Sequence, residues 1–422
     1  MTPRTRSDLS PGLLRHLRPG DLPAAAQLAV KATHGVIDLT ESVHQSVRRR
    51  IGLPAGASPE RAGGLTGQVY RAVRGVAGLV GTGTEAALAA LLPLLDDPAT
   101  HPEASPQRDA ALAALNGVLG DRLLAMGNPL AQAMELRANR QPLNLDRQAL
   151  ATRWPQAGPH LMLLVHGLCM NDTQWLRNGH DHGAFLADAL GATPVYLRYN
   201  SGLHIAANGR QLAGLLERLV DAWPVPLQRI TLIGHSMGGL VARSAIATGR
   251  SLGLRWSTVV RDLVFLGTPQ HGAPLERAGH GVDRLLSASP FTAPFARLGK
   301  IRSAGITDLR HGHVQEADGQ GRDRFASGAD HRQPLPLPDG VRCFALAATL
   351  AGPRNRVAER LAGDGLVPLD SALGRHPDPA FGLEVPPGRQ CIVHRTGHLD
   401  LLSSLPVAGQ LKTWLAAPDG RG

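Results

Sequence analysis

Ser236 lies in the stretch GHSMGG, where a serine hydroxyl could act as a nucleophile. The run 230–233 in front of it is apolar and β-branched, and the residues after it favour a helix. The pattern G-x-S-x-G between a strand and a helix is typical of a sharp turn that exposes a serine above the edge of a sheet. Gly234 and Gly238 leave room for this turn because they carry no Cβ. A serine hydroxyl is a weak nucleophile by itself, so the prediction requires a base and an acid elsewhere in the chain.

Candidates for the acid and the base follow the serine in the order that this turn requires. Asp364 lies in GDGLVP, between glycines that suit a tight loop, and Asp370 is the alternative acid. His398 lies in RTGHLDLL, after the last predicted strand, whereas the alternative base, His394, is predicted to belong to that strand. In this arrangement His398 takes the proton of Ser236 and later returns it to the leaving group, while Asp364 fixes the tautomer of the imidazole.

A tetrahedral intermediate also needs preformed N–H donors for its oxyanion. The N–H of Met237, directly after the serine, is one candidate, and Leu168, in the loop after the apolar run 161–165, is the second. Loss of one such donor typically costs about 2.7–4 kcal/mol of barrier. The residues that flank these donors are expected to contact the substrate: His166, Gly167 and His235.

The elements that hold these residues alternate between apolar runs and amphipathic patterns. Such alternation predicts a mostly parallel sheet with helices on both faces. The predicted strands are 161–165, 194–199, 230–233, 259–266, 341–348 and 390–394, with short opening strands at 134–136 and 143–145. The leucines of the predicted helix 205–223 recur on one face. Ligands of such sheets bind beyond the carboxyl ends of the strands, which is where the serine is expected.

Two further segments surround the predicted sheet. Residues 1–125 carry helical patterns without a catalytic motif and are assigned to an N-terminal helical segment. This segment could pack on the catalytic part, mediate oligomerisation or contact a membrane surface. Residues 126–420 are assigned to the catalytic domain. Within it, the sheet pattern lapses over 271–338, and this insertion is predicted to be a lid or cap over the site. The alternative is a surface excursion without a catalytic role.

Composition limits the partners and the compartment. The chain has 422 residues and a formal net charge of +10, but its bases are scattered rather than interleaved with aromatics, so no nucleic-acid partner is expected. Three distant cysteines predict neither a disulfide framework nor a metal site, and this usage fits a cytoplasmic location. The N-terminus lacks the apolar run of a signal peptide. The weakly charged stretch 75–95 is interrupted by Glu85, Pro93 and glycines, which argues against a spanning helix and leaves peripheral membrane contact through the N-terminal helices open.

From about residue 161 to residue 414 the chain resembles the α/β-hydrolase superfamily. Within it, the chain is most similar to lipases and esterases with a hydrolase domain like that of the GPI inositol-deacylases. Five motifs carry this resemblance in order: HGLCM, GHSMGG, GTPQHGAP, GDGLVP and GHLDLL. The resemblance implies an α/β-hydrolase fold and hydrolysis of a carboxylic ester through an acyl-enzyme, without a cofactor.

The resemblance also bears on two other features. Asp400, two residues beyond the candidate base, corresponds to a calcium ligand of some bacterial lipases, but no aspartate in 341–363 supplies the second ligand, so no metal is expected. The stretch RYNSGLHIAANGR, residues 198–210, resembles a segment that lines the approach to the site of such proteins.

The sequence does not show which molecule accepts the acyl group. An acyltransferase or a thioesterase would use the same three side chains, and a non-catalytic scaffold of the same fold is a different class of alternative. A membrane-remodelling helical protein with an attached hydrolase domain is a further one. The expected partner is a small-molecule or lipid ester; the acyl chain length, the alcohol portion and the oligomeric state do not follow from the sequence.

Overall fold

The computed structural model describes residues 106–273, 303–319, 332–353 and 363–417. The chain divides into two compact units, of which one comprises Met1–Arg108 with Gly127–Leu130 and the other Asp109–Met126 with Ala131–Gly422. The second unit contains the sheet and every candidate site residue. The helices predicted within residues 1–105, and much of the predicted lid, lie outside the described residues.

Eight strands of the described residues form one sheet. They are β1 (Glu135–Ala138), β2 (Gln141–Pro142), β3 (His160–Val165), β4 (Thr193–Arg198), β5 (Arg229–His235), β6 (Val260–Leu266), β7 (Arg342–Thr349) and β8 (Gln390–His394). Their order across the sheet is β2-β1-β4-β3-β5-β6-β7-β8. The neighbours from β4 to β8 are parallel, while β1 pairs antiparallel with both β2 and β4. The mostly parallel sheet predicted from the sequence is therefore confirmed.

Eight helices accompany the strands in the described residues. They are α1 (Pro106–Ala125), α2 (Arg147–Arg153), α3 (His182–Leu190), α4 (Ile205–Ala222), α5 (Met237–Ser251), α6 (Ala304–His311), α7 (Leu369–Ala372) and α8 (Leu405–Ala416). Short 3₁₀ turns occupy Asp172–Trp175, Arg255–Thr258, Glu316–Gly319, Pro379–Phe381, Pro387–Arg389 and Asp400–Leu402. In the part of the chain that the structure describes, every helix is too short or too polar to span a bilayer.

The central strands are buried on both faces, which explains their continuous apolar runs. From Leu161 to Val165, β3 is fully inaccessible to solvent, and β5 is buried from Ile230 onward. The leucines on one face of α4 are buried as the periodicity predicts: Leu212, Leu215, Leu216 and Leu219. Helices on both faces leave no room for the polar alternation of a half-exposed strand. Because these strands run parallel, the carboxyl ends of β3, β5, β6, β7 and β8 share one edge of the sheet.

The opening strands differ from the prediction. β1 begins and ends later than 134–136, β2 is Gln141–Pro142, and residues 143–145 are not a strand. Asn139 and Arg140 have φ angles of 50° and 64°. Positive φ at two successive residues is the geometry of a two-residue hairpin turn, and it brings Gln141 opposite Ala138. The hairpin turn, rather than the apolar residues of 143–145, sets the register of this pair.

The described part of the insertion 271–338 contains one packed helix, α6. The Gly305 backbone in α6 lies so close to the loop after β4 that a Cβ would overlap with the carbonyl oxygen of Ser201. Asp308 accepts a hydrogen bond from the N–H of Ile205 at 2.9 Å, which ties α6 to the first residue of α4. Residues 274–302 and 320–331 lie outside the described residues, and a lid function for the insertion stays a prediction.

Candidate active site

Ser236 alone forms the turn between β5 and α5. β5 ends at His235 and α5 begins at Met237, and the φ and ψ angles of Ser236 are 53° and −126°. Such a conformation costs a non-glycine residue about 1–3 kcal/mol and persists only where the surroundings hold it. The Ser236 N–H donates to the carbonyl oxygen of Leu266 at 2.9 Å, and its own carbonyl oxygen accepts from the N–H of Gly239 at 3.1 Å. The two bonds fix the strained turn at the carboxyl edge of the sheet.

Two glycines of the motif are required by close backbone contacts. A Cβ on Gly234 would overlap with the backbone of Gly239, and a Cβ on Gly238 would lie 2.6 Å from the carbonyl oxygen of His166. Both obstacles are backbone atoms, which cannot rotate away as a side chain can. The start of α5 therefore packs directly against the end of β3, and the serine lies beside the loop that follows β3.

The His398 and Asp364 side chains are hydrogen-bonded to each other. His398 Nδ1 donates to Asp364 Oδ2 at 2.7 Å, and the two residues are only 4% and 3% exposed. The other carboxylate oxygen of Asp364 accepts from the N–H groups of Leu366, at 3.0 Å, and Val367, at 2.8 Å. In addition, the backbone N–H of His398 donates to the backbone carbonyl oxygen of Asp364 at 3.1 Å. The carboxylate thus holds the proton on Nδ1 and leaves Nε2 as the basic nitrogen of His398.

Gly267 brings this pair next to the serine. It follows Leu266, which accepts the hydrogen bond from the Ser236 backbone. A Cβ on Gly267 would lie 3.2 Å from Asp364 Oδ2 and 3.3 Å from His398 Cε1. Among the described residues, neither Ser236 Oγ nor His398 Nε2 has a hydrogen-bond partner. Catalytic hydrogen bonds often form at full strength only when substrate is bound. The hydroxyl and the basic nitrogen are therefore both available at the same edge of the sheet.

The alternative acid and base lie elsewhere. Asp370 is on α7 and forms an ion pair with Arg375 at 3.6 Å. His394 is the last residue of β8, where its backbone pairs with Thr349. The structure brings Asp364, and not Asp370, to the imidazole of His398.

The loop after β3 runs beside the serine and presents backbone N–H groups. A Cβ on Gly167 would lie 3.0 Å from Ser236 Cβ, which measures how closely this loop approaches. The N–H groups of Leu168 and Met237 have no acceptor within the described part of the chain. Unoccupied N–H donors next to a nucleophile are what a developing oxyanion needs. The two predicted oxyanion donors thus flank Ser236 from two different elements.

Contacts that the sequence did not single out support this loop. The N–H of Cys169 donates to Ser201 Oγ at 3.0 Å, and a Cβ on Gly117 of α1 would overlap with the Cys169 sulfur. Asn200 Nδ2 donates to the carbonyl oxygen of Gly120 at 3.0 Å. The stretch 198–210 therefore locks α1 and the loop after β3 together. No local pattern could reveal this, because the bonded residues are 32 and 80 positions apart.

The His166 imidazole is part of the same support. Its Nδ1 donates to the carbonyl oxygen of Gly167 at 2.8 Å, and its Nε2 accepts from the N–H of Tyr199 at 3.4 Å. The ring stacks on Tyr199 with a centroid distance of 4.3 Å and has no exposed surface. Burial lowers the pKa of His166 to about 3, so the ring stays neutral and can keep both bonds.

His235 connects the serine turn to the loop that carries the base. Its Nε2 donates to the carbonyl oxygen of His398 at 3.1 Å, and the two ring centroids are 4.8 Å apart. Burial, with the nearby His398 adding to it, holds the pKa of His235 well below its ordinary value. His235 Nδ1 has no hydrogen-bond partner in the described structure. The residue is thus a neutral donor beneath the site.

The cysteines do not compete with Ser236 as nucleophiles. All three are free, and Cys169 lies in the loop beside the serine. Burial raises the pKa of the Cys169 and Cys343 thiols to about 12. Because the thiolate is the reactive form, neither thiol is activated at neutral pH.

Asp400 stabilises the turn that carries His398. Its Oδ2 accepts from the N–H of Gly397 at 3.2 Å, and its own N–H donates to the Gly397 carbonyl oxygen at 3.0 Å. Among the residues that the structure describes, no group of three or more His, Cys, Asp or Glu side chains is placed to hold a metal ion.

Comparisons with known proteins agree with this architecture. Residues 159–321 match the family model described as PGAP1-like alpha/beta domain, a segment that contains HGLCM, GHSMGG and GTPQHGAP. No curated protein sequence matches the chain significantly.

Among solved structures, the mature lipase BlEst2 of Bacillus licheniformis is 17% identical, with a TM-score of 0.39, over 66% of this chain and 98% of its own. The RedJ thioesterase of the Streptomyces coelicolor prodiginine pathway is 18% identical, with a TM-score of 0.33, over 62% and 91% of the two chains. The Pyrococcus furiosus esterase PF2001 is 14% identical, with a TM-score of 0.36, over 61% and 81%. Likenesses this remote do not carry an activity to this chain.

The sheet order, the serine turn and the family-model match together show an α/β-hydrolase fold. The resemblance inferred from the five motifs is confirmed at this level. Asp364 and His398 lie beyond the matched segment, so their assignment rests on the geometry of this chain.

Proposed function

We propose that this protein is a serine hydrolase that cleaves carboxylic esters of small molecules or lipids through an acyl-enzyme on Ser236. The observation that carries the proposal is the buried hydrogen bond of 2.7 Å between His398 and Asp364, at the sheet edge where the strained Ser236 turn lies. A carboxylate, an imidazole with its basic nitrogen unoccupied and a serine at a strained turn together satisfy the requirements of an activated nucleophile.

The first half-reaction forms the acyl-enzyme. Ser236 Oγ attacks the ester carbonyl carbon while His398 Nε2 takes the hydroxyl proton, and the carbonyl electron pair moves onto the oxygen. The N–H groups of Leu168 and Met237 stabilise this oxyanion. When the carbonyl bond re-forms, the bond to the alcohol oxygen breaks and His398 gives its proton to the departing alcohol. Asp364 stabilises the transient imidazolium without taking a proton.

The second half-reaction releases the acid. A water molecule gives a proton to His398 Nε2 and attacks the acyl carbon, and the intermediate collapses with the proton returning to Ser236 Oγ. The carboxylic acid leaves and the enzyme is restored. Water is the acceptor in this proposal because nothing in the described residues favours a thiol or a second alcohol.

The neighbouring residues are proposed to position these groups. His166 holds the loop that presents Leu168, and Gly167 lets that loop approach the serine without a side chain in the way. His235 holds the backbone of His398. We propose that substrate meets this site over the Gly167 backbone, and that the insertion 271–338 covers it.

A fluorophosphonate probe tests the proposal directly. The probe phosphorylates activated serines, so mass spectrometry of the labelled protein is expected to find the adduct on Ser236. Ser236→Ala should abolish labelling and the hydrolysis of p-nitrophenyl esters, whereas Ser251→Ala, an exposed serine at the end of α5, should change neither. A folded protein that takes no label, or takes it at another serine, would overturn the proposal.

The acceptor is tested in the same assay. Esters of graded acyl length are hydrolysed with and without added primary alcohols, and the products are separated by chromatography. Hydrolysis alone supports the proposed activity. Preferential transfer of the acyl group to the alcohol would identify an acyltransferase instead, and faster cleavage of matched thioesters would identify a thioesterase.

A further inference from the structure

A small polar pocket lies between α5, the segment that follows β6 and the segment that precedes β7. Its lining includes Arg243, Gln270, His271, Asp318, Arg332 and Phe381. None of these residues belongs to the proposed catalytic machinery, although Gln270 is close in sequence to Gly267.

Arg243 is a buried cation that no carboxylate of the described residues neutralises. It is 6% exposed, and its Nη1 and Nη2 donate to Gln270 Oε1 at 2.8 Å and to the carbonyl oxygen of Leu335 at 2.6 Å. Its Nε has no acceptor, and no carboxylate pairs with it among the described residues. Burial lowers the pKa of Arg243 to about 10, which leaves it protonated at neutral pH. Buried charges in proteins are normally paired, so this guanidinium is an exception that needs an explanation.

Gln270 adds a second donor without an acceptor. A guanidinium can only donate, so the amide oxygen of Gln270 has to face Arg243 and its NH₂ group has to point away. That Nε2 is buried and has no hydrogen-bond partner in the described structure. Two residues that line the same pocket, one of them charged, therefore each have a donor without an acceptor among the described residues.

The other wall of the pocket adds positive charge. Arg332 Nη1 donates to the backbone oxygens of Gln270, at 3.2 Å, and Gly312, at 3.3 Å. Its guanidinium lies over the ring of Phe381, 5.5 Å from the centroid. Burial, with the charge of Arg332 adding to it, lowers the pKa of His271 to about 4, so this imidazole is neutral at pH 7.

Asp318 is the carboxylate of the lining, and backbone groups already occupy it. Its two oxygens accept from three backbone N–H groups: those of Val314 and Gln315, each at 2.9 Å, and that of Gln333, at 3.1 Å. These bonds close the loop that forms this side of the pocket.

We propose that this pocket binds an anionic oxygen group, a phosphate or a carboxylate, which accepts hydrogen bonds from Arg243 and Gln270. Anions provide acceptors only, which is what the two orphaned donors lack. A water molecule could accept from the same donors but would leave the buried charge of Arg243 unpaired. The site does not depend on the proposed ester hydrolysis, because none of its groups takes part in that reaction.

Calorimetric titration with inorganic phosphate tests the site, with chloride at the same ionic strength as the blank. The full chain is expected to show saturable binding of one phosphate. Loss of one charge-assisted contact should weaken binding about 10- to 100-fold, so Arg243→Gln should lose affinity by this factor. Arg250→Gln changes an exposed arginine of the same helix and should bind like the parent protein. Equal phosphate affinity in all three proteins would overturn the proposal.

A charge introduced inside the pocket tests the inference without removing a buried group. Gln270→Glu keeps the shape of the side chain and gives Arg243 the carboxylate that it lacks. This variant is expected to unfold at a higher urea concentration than the parent and to lose phosphate binding, because the internal carboxylate replaces the ligand. If Gln270→Glu is destabilised, or still binds phosphate with the parent affinity, the pocket is not an anion site.

The source of the anion is separated by the choice of ligand. Glycerol 3-phosphate and succinate are titrated beside inorganic phosphate, and Ser236→Ala is titrated beside the parent chain. Tighter binding of glycerol 3-phosphate would indicate a phosphate carried on a larger molecule, whereas equal binding would indicate a free anion; both outcomes support the site. Absence of saturable binding for all three ligands in a folded protein would overturn it, whether or not Ser236 takes a fluorophosphonate label.

Discussion

His235 Nε2 donates a hydrogen bond of 3.1 Å to the carbonyl oxygen of His398. The residue before the proposed nucleophile therefore holds the backbone of the proposed base. Asp364 holds His398 through its carboxylate and its carbonyl oxygen. His398 is thus held by two residues that are distant in sequence, one at the end of β5 and one in the loop that follows β7.

We predict that His235→Leu lowers kcat while leaving KM nearly unchanged. The variant removes the donor to His398, and a small misplacement of a catalytic group can reduce the rate by about 10- to 100-fold. His235→Gln retains an N–H donor and should recover part of the loss. Steady-state kinetics on a p-nitrophenyl ester measures both variants; a leucine variant with the parent kcat would show that this hydrogen bond does not position the base.

Asp364→Asn should lower kcat by about 10⁴-fold, because an amide at this position favours the wrong tautomer of the histidine. The matched control is Asp370→Asn, which alters the other candidate acid on α7. Asp370 pairs with Arg375 at the surface, so its replacement should leave the rate within about twofold of the parent. Kinetics of the two variants side by side decides between the acids, and a larger loss for Asp370→Asn would reverse the assignment.

Much of the fold follows from local sequence because buried parallel strands are continuous apolar runs. The run 161–165 and the motif around Ser236 indicate β3, β5 and the serine turn without any coordinates. Asp364 is also accessible to this reasoning, since glycines with positive φ flank it on both sides. The order of the motifs along the chain then indicates which edge of the sheet they share.

Long-range contacts are what the sequence does not reveal. Ser201 and Cys169 meet through a side chain and a backbone N–H, and neither residue has a neighbour in sequence that signals the bond. That no carboxylate in the described part of the chain pairs with Arg243 is equally invisible, because this becomes evident only when the residues around the guanidinium are known. The sequence does not indicate the hairpin at Asn139 for a different reason: neither residue of its turn is a glycine.

Gly238→Ala is predicted to destabilise the protein by about 3 kcal/mol or more, since its Cβ would lie 2.6 Å from a backbone oxygen that has nowhere to move. Gly214, exposed on α4, is the matched control, because a Cβ there meets no atom within 4 Å. Gly214→Ala should stabilise the protein by about 0.4–1 kcal/mol through helix propensity and a less flexible unfolded chain. Urea unfolding followed by circular dichroism compares the two, and equal effects would mean that the contact of α5 with the end of β3 is not tight.

Ser201→Ala is expected to reduce kcat about tenfold and to cost about 1–3 kcal/mol of stability, because the N–H of Cys169 loses its acceptor in a buried place. The loop that presents the Leu168 N–H would then be held less firmly. Ser201→Thr retains the hydroxyl and tests whether the hydrogen bond matters more than the size of the side chain. Kinetics and urea unfolding are measured together, and a loss of stability at unchanged kcat would separate the loop's structural role from oxyanion binding.

Stability is predicted to fall as the solution becomes acidic, because several buried histidines resist protonation. Burial lowers the pKa of His166 to about 3 and that of His182 to about 4, from an ordinary value of 6.5. Between the folded and the ordinary pKa the unfolded chain binds protons that the folded chain does not, so the full stabilisation is present above about pH 6.5 and is lost as the pH falls towards 4.

Below about pH 6, each of these histidines should lower the free energy of unfolding by about 1.4 kcal/mol for every pH unit of acidification. Urea unfolding at a series of pH values measures the slope in the parent chain and in His182→Gln. The glutamine can still donate to the carbonyl oxygen of Leu401, as His182 Nε2 does at 2.8 Å, but it does not titrate. The variant should therefore fold normally, and its free energy of unfolding should depend on pH less steeply, by the contribution of one proton. An unchanged pH dependence would mean that His182 does not contribute to the acid sensitivity.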